Sequence, residues 1–310
     1  MTPPKLLITL GDVAGVGPEI VAKAWHALTP VCRPVVVGDP TRLAPGIPVV
    51  NPSKADLSRV RTGQVSAEAG RAAYDSLVYA IDECLAGRAD GIVTCPLHKE
   101  GLHAAGVPFP GHTEILADRC GVPSHAMLLF DDEVGLAVAH VTLHVRLKDV
   151  FPLVTREGVL DKIRLLHGIV PKLTGKPSAR IGVAALNPHA SDGGLFGDEE
   201  ATAIAPAVEA ARAEGIDATG PIPADAIFLP HNSQKFDGIV SMVHDHGHIA
   251  MKLLGGRRAV NVTAGLPIVR TSVAHGTAYD IAGKGIADES SLVSAVRVAA
   301  RLAQSRKADG

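Results

Sequence analysis

The sequence predicts an α/β fold, in which the strands of a mainly parallel sheet alternate with helices that cover its faces. Short apolar runs that end in glycine or aspartate alternate with longer segments of helical apolar spacing. The composition agrees, because 46% of the residues are hydrophobic, only 3% are aromatic, and 32 glycines with 22 prolines supply many tight connections. At 310 residues the chain exceeds one comfortable core, so we expect two domains.

The first elements are a strand, a glycine loop and a helix. Residues 5–10 form the apolar run of a buried strand, and three glycines between residues 11 and 17 lead to Pro18, which favours the first turn of a helix. The loop suits an anion at the helix N-terminus, but it has neither the Rossmann nor the P-loop spacing. Tight packing of strand on helix explains such glycines equally well, so both interpretations stay open.

The same patterns place the later elements. Further strands are predicted at residues 34–39, 89–95, 127–130, 134–141, 179–186 and 238–243. Helices are predicted at residues 67–85, 155–173 and 288–303, with another opened by Asp198, Glu199 and Glu200. Ligands of parallel sheets bind at the carboxyl ends of the strands, and four side chains are expected on loops of that kind: His98, Lys99, His112 and Thr113.

Charge and cysteine usage exclude several classes of protein. The net charge of −2, without a run of like charge, argues against nucleic acid or an acidic membrane as a partner. The sequence has no secretory signal and no stretch long enough to span a bilayer, so we expect a cytoplasmic protein. The four cysteines lack CxxC spacing and are expected to be buried thiols; Cys95 can line a cleft without being a nucleophile.

Chemically active residue types are concentrated in the segment 241–285. Candidate metal ligands or proton carriers are His244, Asp245, His246 and His248. Cations able to hold carboxylate or phosphate are Lys252, Arg257, Arg258 and Arg270. The run HGTAYDIAGKG, residues 275–285, is a turn of the kind that lets a nucleotide lie against backbone. Together these are the residue types that metal-assisted hydride transfer on a small acid needs.

Three histidines that are distant in sequence each follow a strand-like run and stand in a polar or glycine-rich loop: His144, His189 and His244. No local spacing of the HExxH or zinc-finger kind supports them, so a three-histidine metal site and three separate roles are both open. On a strand of period two, His140 and His144 would share one face, and His140 is expected to be structural.

Six motifs in order over nearly the whole chain closely resemble the 4-hydroxythreonine-4-phosphate dehydrogenase family of vitamin B6 biosynthesis. They are GDVAGVGPEI (11–20), GHTE (111–114), LNPHASDGG (186–194), GPIPAD (220–225), VHDHGH (243–248) and NVTAGLPIVRTSVAHGTA (261–278). The resemblance implies a metal-dependent oxidoreductase that uses NAD or NADP with a divalent cation such as Zn, Mg, Co or Mn. It also implies a homodimer and two α/β/α lobes around a cleft, similar to the isocitrate and isopropylmalate dehydrogenases.

The positions of the motifs suggest a hypothesis for the two lobes. Residues 1–112 with 266–310 would form a first lobe that carries the dinucleotide-binding loop. Residues 113–265 would form a second lobe with the metal ligands and the dimer contacts. No linker composition marks either boundary.

The resemblance also implies roles for individual residues. The family's metal ligands fall on His144, His189 and His244, with both subunits contributing to one site. Its substrate contacts fall on His112, Thr113, Lys252, Asn261 and Arg270. Its dinucleotide loop falls on His275, Gly276, Thr277, Ala278, Asp280, Ile281, Ala282, Gly283 and Lys284. The group that removes the hydroxyl proton stays open among three candidates: Lys252, Asp225 and Asp245.

The implied reaction is the oxidation and decarboxylation of a small 4-phosphorylated 3-hydroxy acid. His246 stands where biosynthetic members usually have glutamine, and the following HIAMKLL resembles the branch acting on 4-phospho-D-threonate or 4-phospho-D-erythronate. The substrate 4-phosphohydroxy-L-threonine stays open, and His246 either contacts substrate or lines the cleft. HVTLH and HASDGGLFG are similar to a branch that oxidises aromatic cis-dihydrodiol carboxylates. A three-histidine metallohydrolase and a non-catalytic nucleotide- or phosphosugar-binding module are the remaining alternatives.

Overall fold

The structure, a computed structural model, describes residues 2–122, 126–256 and 258–309. It is an α/β fold, as the alternating pattern predicts. The chain divides into two compact units, the first formed by Met1–His125 with Val260–Gly310 and the second by Ala126–Ala259. The functions assigned above to two lobes stay predictions. Among the residues that the structure describes, no helix combines the length and apolarity needed to cross a bilayer.

Helices and strands are interspersed along the whole chain. In order, they are β1 (Lys5–Thr9), α1 (Gly17–Leu28), β2 (Arg33–Val37), β3 (Val49–Val50), α2 (Ala67–Leu85), β4 (Gly91–Thr94), α3 (Lys99–Ala104), α4 (His112–Cys120), β5 (Ala126–Asp131), β6 (Leu136–His140), α5 (Arg156–Thr174), β7 (Ile181–Ala184), α6 (Ala205–Ala213), β8 (Ala218–Ile222), α7 (Ala224–Ile227), α8 (Pro230–Ser233), β9 (Gly238–Ser241), α9 (His244–Gly255), β10 (Val260–Ala264), β11 (Arg270–Val273) and α10 (Ser290–Asp309). Short 3-10 segments lie at Pro40–Arg42, Leu147–Asp149, Phe151–Leu153 and Pro188–Gly194, and a π-helical turn lies at Glu200–Ile204.

The sheet of the first unit has the strand order β3-β2-β1-β4-β11-β10. Neighbouring strands are parallel except β10 and β11, which are antiparallel, so the sheet is mixed. All four residues of β4 are buried, as expected for a strand with both faces covered. Helices α2 and α10 both contact β4, and Leu77, Ile81 and Ile92 belong to one apolar core cluster.

Close packing explains two glycines of the loop after β1. A Cβ atom at Gly11 would lie 2.1 Å from the carbonyl oxygen of Pro96, and one at Gly17 would lie 2.0 Å from that of Leu10. Gly11 also has a left-handed φ of 65°, which an L side chain rarely adopts. Backbone packing therefore accounts for both residues without a bound anion.

The sheet of the second unit has the order β5-β6-β9-β7-β8. The pair β5 and β6 is antiparallel, and the other neighbours are parallel. Val138, Ile239 and Met251 lie in the core cluster beside this sheet. The sequence analysis predicted neither β8, whose ATGPI contains Gly and Pro, nor α9, whose apolar pattern is interrupted by Gly247 and several histidines.

Helices α2 and α5 confirm the predicted boundaries to within one residue. Each begins after a residue whose side-chain oxygen accepts a backbone N–H of the first turn, Ser66 for α2 and Thr155 for α5. Helix α10 was predicted to end at residue 303, with a polar tail beyond. That boundary was wrong, because the helix continues to Asp309.

Two sequence-based placements near strand ends were wrong. Lys99 begins α3, and His112 and Thr113 form the first turn of α4, so these three residues are helical and not in loops. Strand β6 ends at His140, where its last paired residue in β9 is Ser241. Because the chain bends after this point, the period-two argument that placed His144 on the same strand face does not apply.

A buried carboxylate connects the ends of β7 and β9. Asp237 is 1% exposed, and it accepts hydrogen bonds from the backbone N–H of Arg180 at 2.9 Å, from the Arg180 guanidinium at 3.0 Å, and from Lys176. Burial alone would raise the pKa of this carboxyl, but the bonds from Arg180 and Lys176 outweigh burial and lower it from 3.8 to about 2.

We predict that Asp237→Asn lowers the free energy of unfolding by roughly 2 to 3 kcal/mol at pH 7, since each unit of pKa shift corresponds to about 1.4 kcal/mol. The folded-state pKa is depressed, so this stabilisation is present above pH 3.8 and is lost as the pH falls toward 2. Urea unfolding between pH 7 and pH 2 measures it, with exposed Asp217→Asn as control. Equal stability of Asp237→Asn and the wild type at pH 7 would contradict the prediction.

Candidate active site

Four histidines of the second unit converge where β6 and β9 end. His140 is the last residue of β6, His144 follows four residues later, and His244 and His248 lie in the first two turns of α9. The ring centroids of His244 and His248 are 3.8 Å apart, those of His140 and His248 are 4.6 Å apart, and those of His144 and His244 are 6.0 Å apart. Parallel pairing of β6 with β9 creates this cluster, because it sets the two carboxyl ends side by side.

Two imidazoles of this histidine cluster, those of His140 and His248, are held neutral. Burial, together with the neighbouring imidazoles, lowers the pKa of His140 to about 3 and that of His248 to about 4. Nδ1 of His248 lies 3.2 Å from Nε2 of His140 and 3.2 Å from the carbonyl oxygen of His244. Neutral imidazole is the form that binds a metal ion.

His244 has the arrangement of a metal-binding histidine. Its Nδ1 lies 2.7 Å from Oδ1 of Asp245, which leaves Nε2 for a metal. A carboxylate on the second ring nitrogen orients such a ligand and raises its basicity. The same hydrogen bond lowers the pKa of the exposed Asp245 carboxyl, which makes Asp245 a weaker proton acceptor. Lys252 lies two turns further along α9 and is exposed.

His189 lies in an unusual turn, and among the described residues no ring contact joins it to the four clustered histidines. The segment Pro188–Gly194 has left-handed backbone at His189 (φ 54°), Ala190 (φ 56°), Ser191 (φ 68°) and Asp192 (φ 46°). Each non-glycine residue in that region costs about 1–2 kcal/mol, and such strain is concentrated at functional sites. Within residues 2–122, 126–256 and 258–309, no three His, Cys, Asp or Glu side chains are grouped so that they could hold a metal ion. Asp225 opens α7, which contacts this segment.

A buried arginine marks a second set of residues, in the first unit. Arg270 on β11 is 3% exposed, and its guanidinium donates to the hydroxyls of Thr263 at 2.9 Å and Thr94 at 2.8 Å. Its Nε has no hydrogen-bond partner among the described residues, and no carboxylate of the described chain forms an ion pair with it. Burial lowers the pKa of Arg270 from 12.5 to about 10. A buried cation without a counter-ion is costly, and an oxyanion would relieve that cost.

Polar groups near Arg270 can bind other atoms of the same ligand. Burial and the charge of Arg270 hold the pKa of His112 well below its ordinary value, so this imidazole is neutral. Asn261 pairs with Ser272 across β10 and β11, which sets Asn261 on the same sheet face as Arg270. The side-chain oxygen of Asn261 is buried without a partner among the described residues. Thr113 follows His112 in the first turn of α4.

The proposed dinucleotide loop, residues 275–284, is docked on the glycine loop that follows β1. The backbone N–H of Val16 donates to the carbonyl oxygen of Thr277 at 3.0 Å, and a Cβ atom at Gly15 would lie 2.8 Å from the same oxygen. The hydroxyl of Tyr279 donates to Oδ2 of buried Asp12 at 2.6 Å. The two glycine-rich stretches noted in the sequence therefore form one structure.

Tyr279 lies within the run predicted to carry the dinucleotide, but the sequence analysis gave it no role of its own. Its ring stacks on His98 with centroids 4.8 Å apart and an interplanar angle of 11°. Its partner Asp12 is 267 positions away, so no local pattern could show the contact. Cys95 is fully buried, and burial raises the pKa of its thiol to about 12, which agrees with the expectation of an inert thiol.

Comparison with known proteins assigns the chain to a family. The family model described as pyridoxal phosphate biosynthetic protein PdxA matches residues 30–299. The chain belongs to the PdxA family. It is 45% identical to a 4-hydroxythreonine-4-phosphate dehydrogenase of Beijerinckia indica subsp. indica over 96% of the chain and 94% of that relative. It is 43% identical to a D-threonate 4-phosphate dehydrogenase of Cupriavidus necator over 98% of both chains.

A solved structure agrees with this PdxA assignment. The crystal structure of a 4-hydroxythreonine-4-phosphate dehydrogenase from Klebsiella pneumoniae superposes with a TM-score of 0.85 and 37% identity, covering 97% of this chain and 98% of that one. The α/β fold with mixed strand pairing is thus the fold of PdxA proteins.

Proposed function

We propose that this PdxA protein is a metal-dependent NAD(P) dehydrogenase that oxidises and decarboxylates a small 4-phosphorylated 3-hydroxy acid. The observation that carries the proposal is Arg270, a buried guanidinium that no carboxylate neutralises within the described residues. A phosphate is the ligand whose charge and hydrogen-bonding geometry match it. Relatives at 43–45% identity are named as dehydrogenases of 4-phosphorylated acids. The aromatic dihydrodiol, hydrolase and binding-module alternatives are not favoured.

Arg270, Asn261 and His112 are assigned to substrate binding. The guanidinium holds the phosphate and neutral His112 donates a hydrogen bond to it, while the buried side-chain oxygen of Asn261 accepts one from a substrate hydroxyl. We assign Thr113 to the same group because it follows His112 in the first turn of α4. Binding the non-reacting end of the substrate in this way holds the reacting carbon still.

Two histidines of the second unit would supply part of the ligand set of a divalent cation. His144 and His244 offer neighbouring imidazoles, and Asp245 orients His244. When bound, the cation makes the substrate hydroxyl more acidic and stabilises the negative charge that forms during oxidation and loss of CO2. We propose Lys252, in its neutral amine form, as a candidate acceptor of the hydroxyl proton, because it shares one face of α9 with His244 and His248 at four-residue spacing. Asp225 stays a second candidate.

A homodimer would complete the metal site. Eight large apolar side chains of the second unit are exposed on the segments that follow the candidate ligands: Val145, Leu147, Phe151, Leu153, Leu195, Phe196, Ile249 and Leu253. Where such side chains form one contiguous patch, they mark an interaction surface. We propose that a second copy of this chain covers them and that His189 of one subunit completes the ligand set of the other.

The loop 275–284 is assigned to NAD or NADP. Its backbone is already supported by the glycine loop after β1, and Ala278 has a left-handed φ of 45°, so backbone groups are presented without a Rossmann motif. The closer likeness to isocitrate and isopropylmalate dehydrogenases, and a cytoplasmic location, stay predictions.

We predict that Tyr279→Phe raises the KM for the dinucleotide roughly tenfold while kcat changes little. The change removes one hydrogen bond to buried Asp12, and a bond to a charged group contributes about 1.5–3 kcal/mol. Steady-state kinetics with varied dinucleotide measures the effect. Tyr74→Phe, at a tyrosine that packs on Arg71 away from this loop, is the matched control. Equal KM values for both variants would remove Tyr279 from dinucleotide binding.

The proposed function is tested by absorbance at 340 nm with NAD or NADP, a divalent metal and a panel of acids. We expect reduced dinucleotide with one or more of 4-phosphohydroxy-L-threonine, 4-phospho-D-threonate and 4-phospho-D-erythronate. The unphosphorylated acids should give little reduced dinucleotide, because they offer no phosphate for Arg270 to bind. No reduced dinucleotide with any phosphorylated acid would count against the proposal, and turnover of an aromatic cis-dihydrodiol carboxylate alone would favour that alternative.

A further inference from the structure

One buried carboxylate holds the turn that carries His189. Four consecutive non-glycine residues, 189–192, have φ between 46° and 68°, a conformation that L residues avoid unless the surroundings impose it. The side chain of His189 itself is exposed. The restraint must therefore come from the residues around it.

Glu200 supplies that restraint from the start of the following helix. It is 4% exposed, and its Oε1 accepts the backbone N–H groups of Leu186 at 2.8 Å and Asn187 at 2.7 Å. Its Oε2 accepts the side-chain amide of Asn187 at 2.9 Å and the hydroxyl of Ser191. The bonds fall on both sides of His189, so a single carboxylate fixes where the turn begins and how it continues.

The neighbouring acid differs in this respect. Glu199 is half-buried and, within the part of the chain that the structure describes, its side chain accepts a hydrogen bond only from the side-chain amide of Asn187, at 2.7 Å. That residue lies two positions before His189, and no described residue after His189 donates to Glu199. The two adjacent glutamates therefore form a matched pair for mutation, because they are the same residue type but differ in their hydrogen bonds to the segment that carries His189.

We infer that Glu200 is a positioning residue, which holds the left-handed turn so that the imidazole of His189 points in the direction needed to bind the metal ion. The inference rests on the proposed function, because it takes His189 as a metal ligand. Glu200 binds no metal itself, since both of its carboxylate oxygens are occupied by hydrogen bonds to the turn and the residues leading into it. Supporting residues of this kind alter metal affinity by about 10- to 100-fold when they are changed.

The experiment is a titration of the full-length protein with Co²⁺, followed by visible absorbance, which reports ligand geometry apart from catalysis. Wild type, His189→Ala, Glu200→Gln and Glu199→Gln are compared. Glutamine keeps the size of Glu200 but sets an NH2 group against the amide of Asn187. We expect His189→Ala to lose tight binding, Glu200→Gln to bind about 10- to 100-fold more weakly with a changed spectrum, and Glu199→Gln to match the wild type.

Each outcome has a separate meaning. A wild type that binds no Co²⁺ would overturn the proposed function, and the inference with it. Unchanged affinity in His189→Ala would remove both the ligand assignment and the inference. Loss of binding in His189→Ala with a wild-type spectrum and affinity in Glu200→Gln would overturn the inference alone. If Glu200→Gln does not fold, Ser191→Ala removes only one bond to the carboxylate, and a wild-type affinity and spectrum in that variant would contradict the inference.

Discussion

Replacing Arg270 with methionine should reduce kcat/KM for the phosphorylated substrate by about a thousandfold. The variant would lack the charge-assisted hydrogen bonds between the guanidinium and the phosphate, each of which contributes about 1.5–3 kcal/mol. Loss of two such bonds corresponds to a decrease in kcat/KM of roughly two to four powers of ten. Methionine fills a similar volume, so the core beside β11 keeps its packing. The measurement is steady-state kinetics with varied substrate at saturating dinucleotide.

The same variant should keep the stability of the wild type to within about 1 kcal/mol, because a buried cation without a counter-ion adds little to stability. Arg180→Met is the matched control, since Arg180 binds the buried carboxylate of Asp237. We expect the control to lose stability and keep activity, which is the reverse pattern. Severe unfolding of Arg270→Met would show that Arg270 is structural, and full activity would show that it does not bind the phosphate.

His244→Ala should abolish both metal binding and turnover. The variant removes a proposed ligand and leaves Asp245 without the ring it orients, so we expect metal affinity to fall by more than about 100-fold, beyond the effect of a supporting residue. Equilibrium dialysis against a chelator of known affinity measures this without any assay of activity. His167→Ala, at an exposed histidine of α5, is the control.

Two results would contradict the His244 prediction. Wild-type metal content with lost turnover would assign His244 a role in proton transfer instead. Full turnover after exhaustive chelation of the wild type would remove the metal from the reaction altogether.

The parts of the fold that the sequence predicted are those with local causes. Helices α2 and α5 were placed well because apolar spacing coincides with a capping Ser66 or Thr155. Helix α9 was missed because Gly247 interrupts its pattern, yet the glycine is needed there: a Cβ atom would lie 2.3 Å from Nε2 of His140. Strands β10 and β11 were recognised only as part of a motif, since they are five and four residues long and carry the polar residues Asn261 and Arg270.

The candidate site was predictable only where family motifs mark it. His244 stood out by its motif, but the meeting of His140 with His248 depends on the pairing of β6 with β9. Glu200 was noted only as part of a helix start, because its hydrogen bonds to the His189 turn are invisible to any periodic pattern. Tertiary contacts between distant segments therefore account for what was missed.

The discontinuous first unit has a consequence for biosynthesis. Strand β11 pairs with β4 in this unit's sheet, although it is translated long after β4. A nascent chain can complete the contiguous second unit, residues 126–259, before Arg270 and the 275–284 loop have left the ribosome. The residues proposed for the anion site and the nucleotide loop are therefore completed only by the last portion of the polypeptide. Under the proposed function, translation that stops early would release a protein unable to use up cofactor or phosphorylated metabolite, however well its second unit had folded.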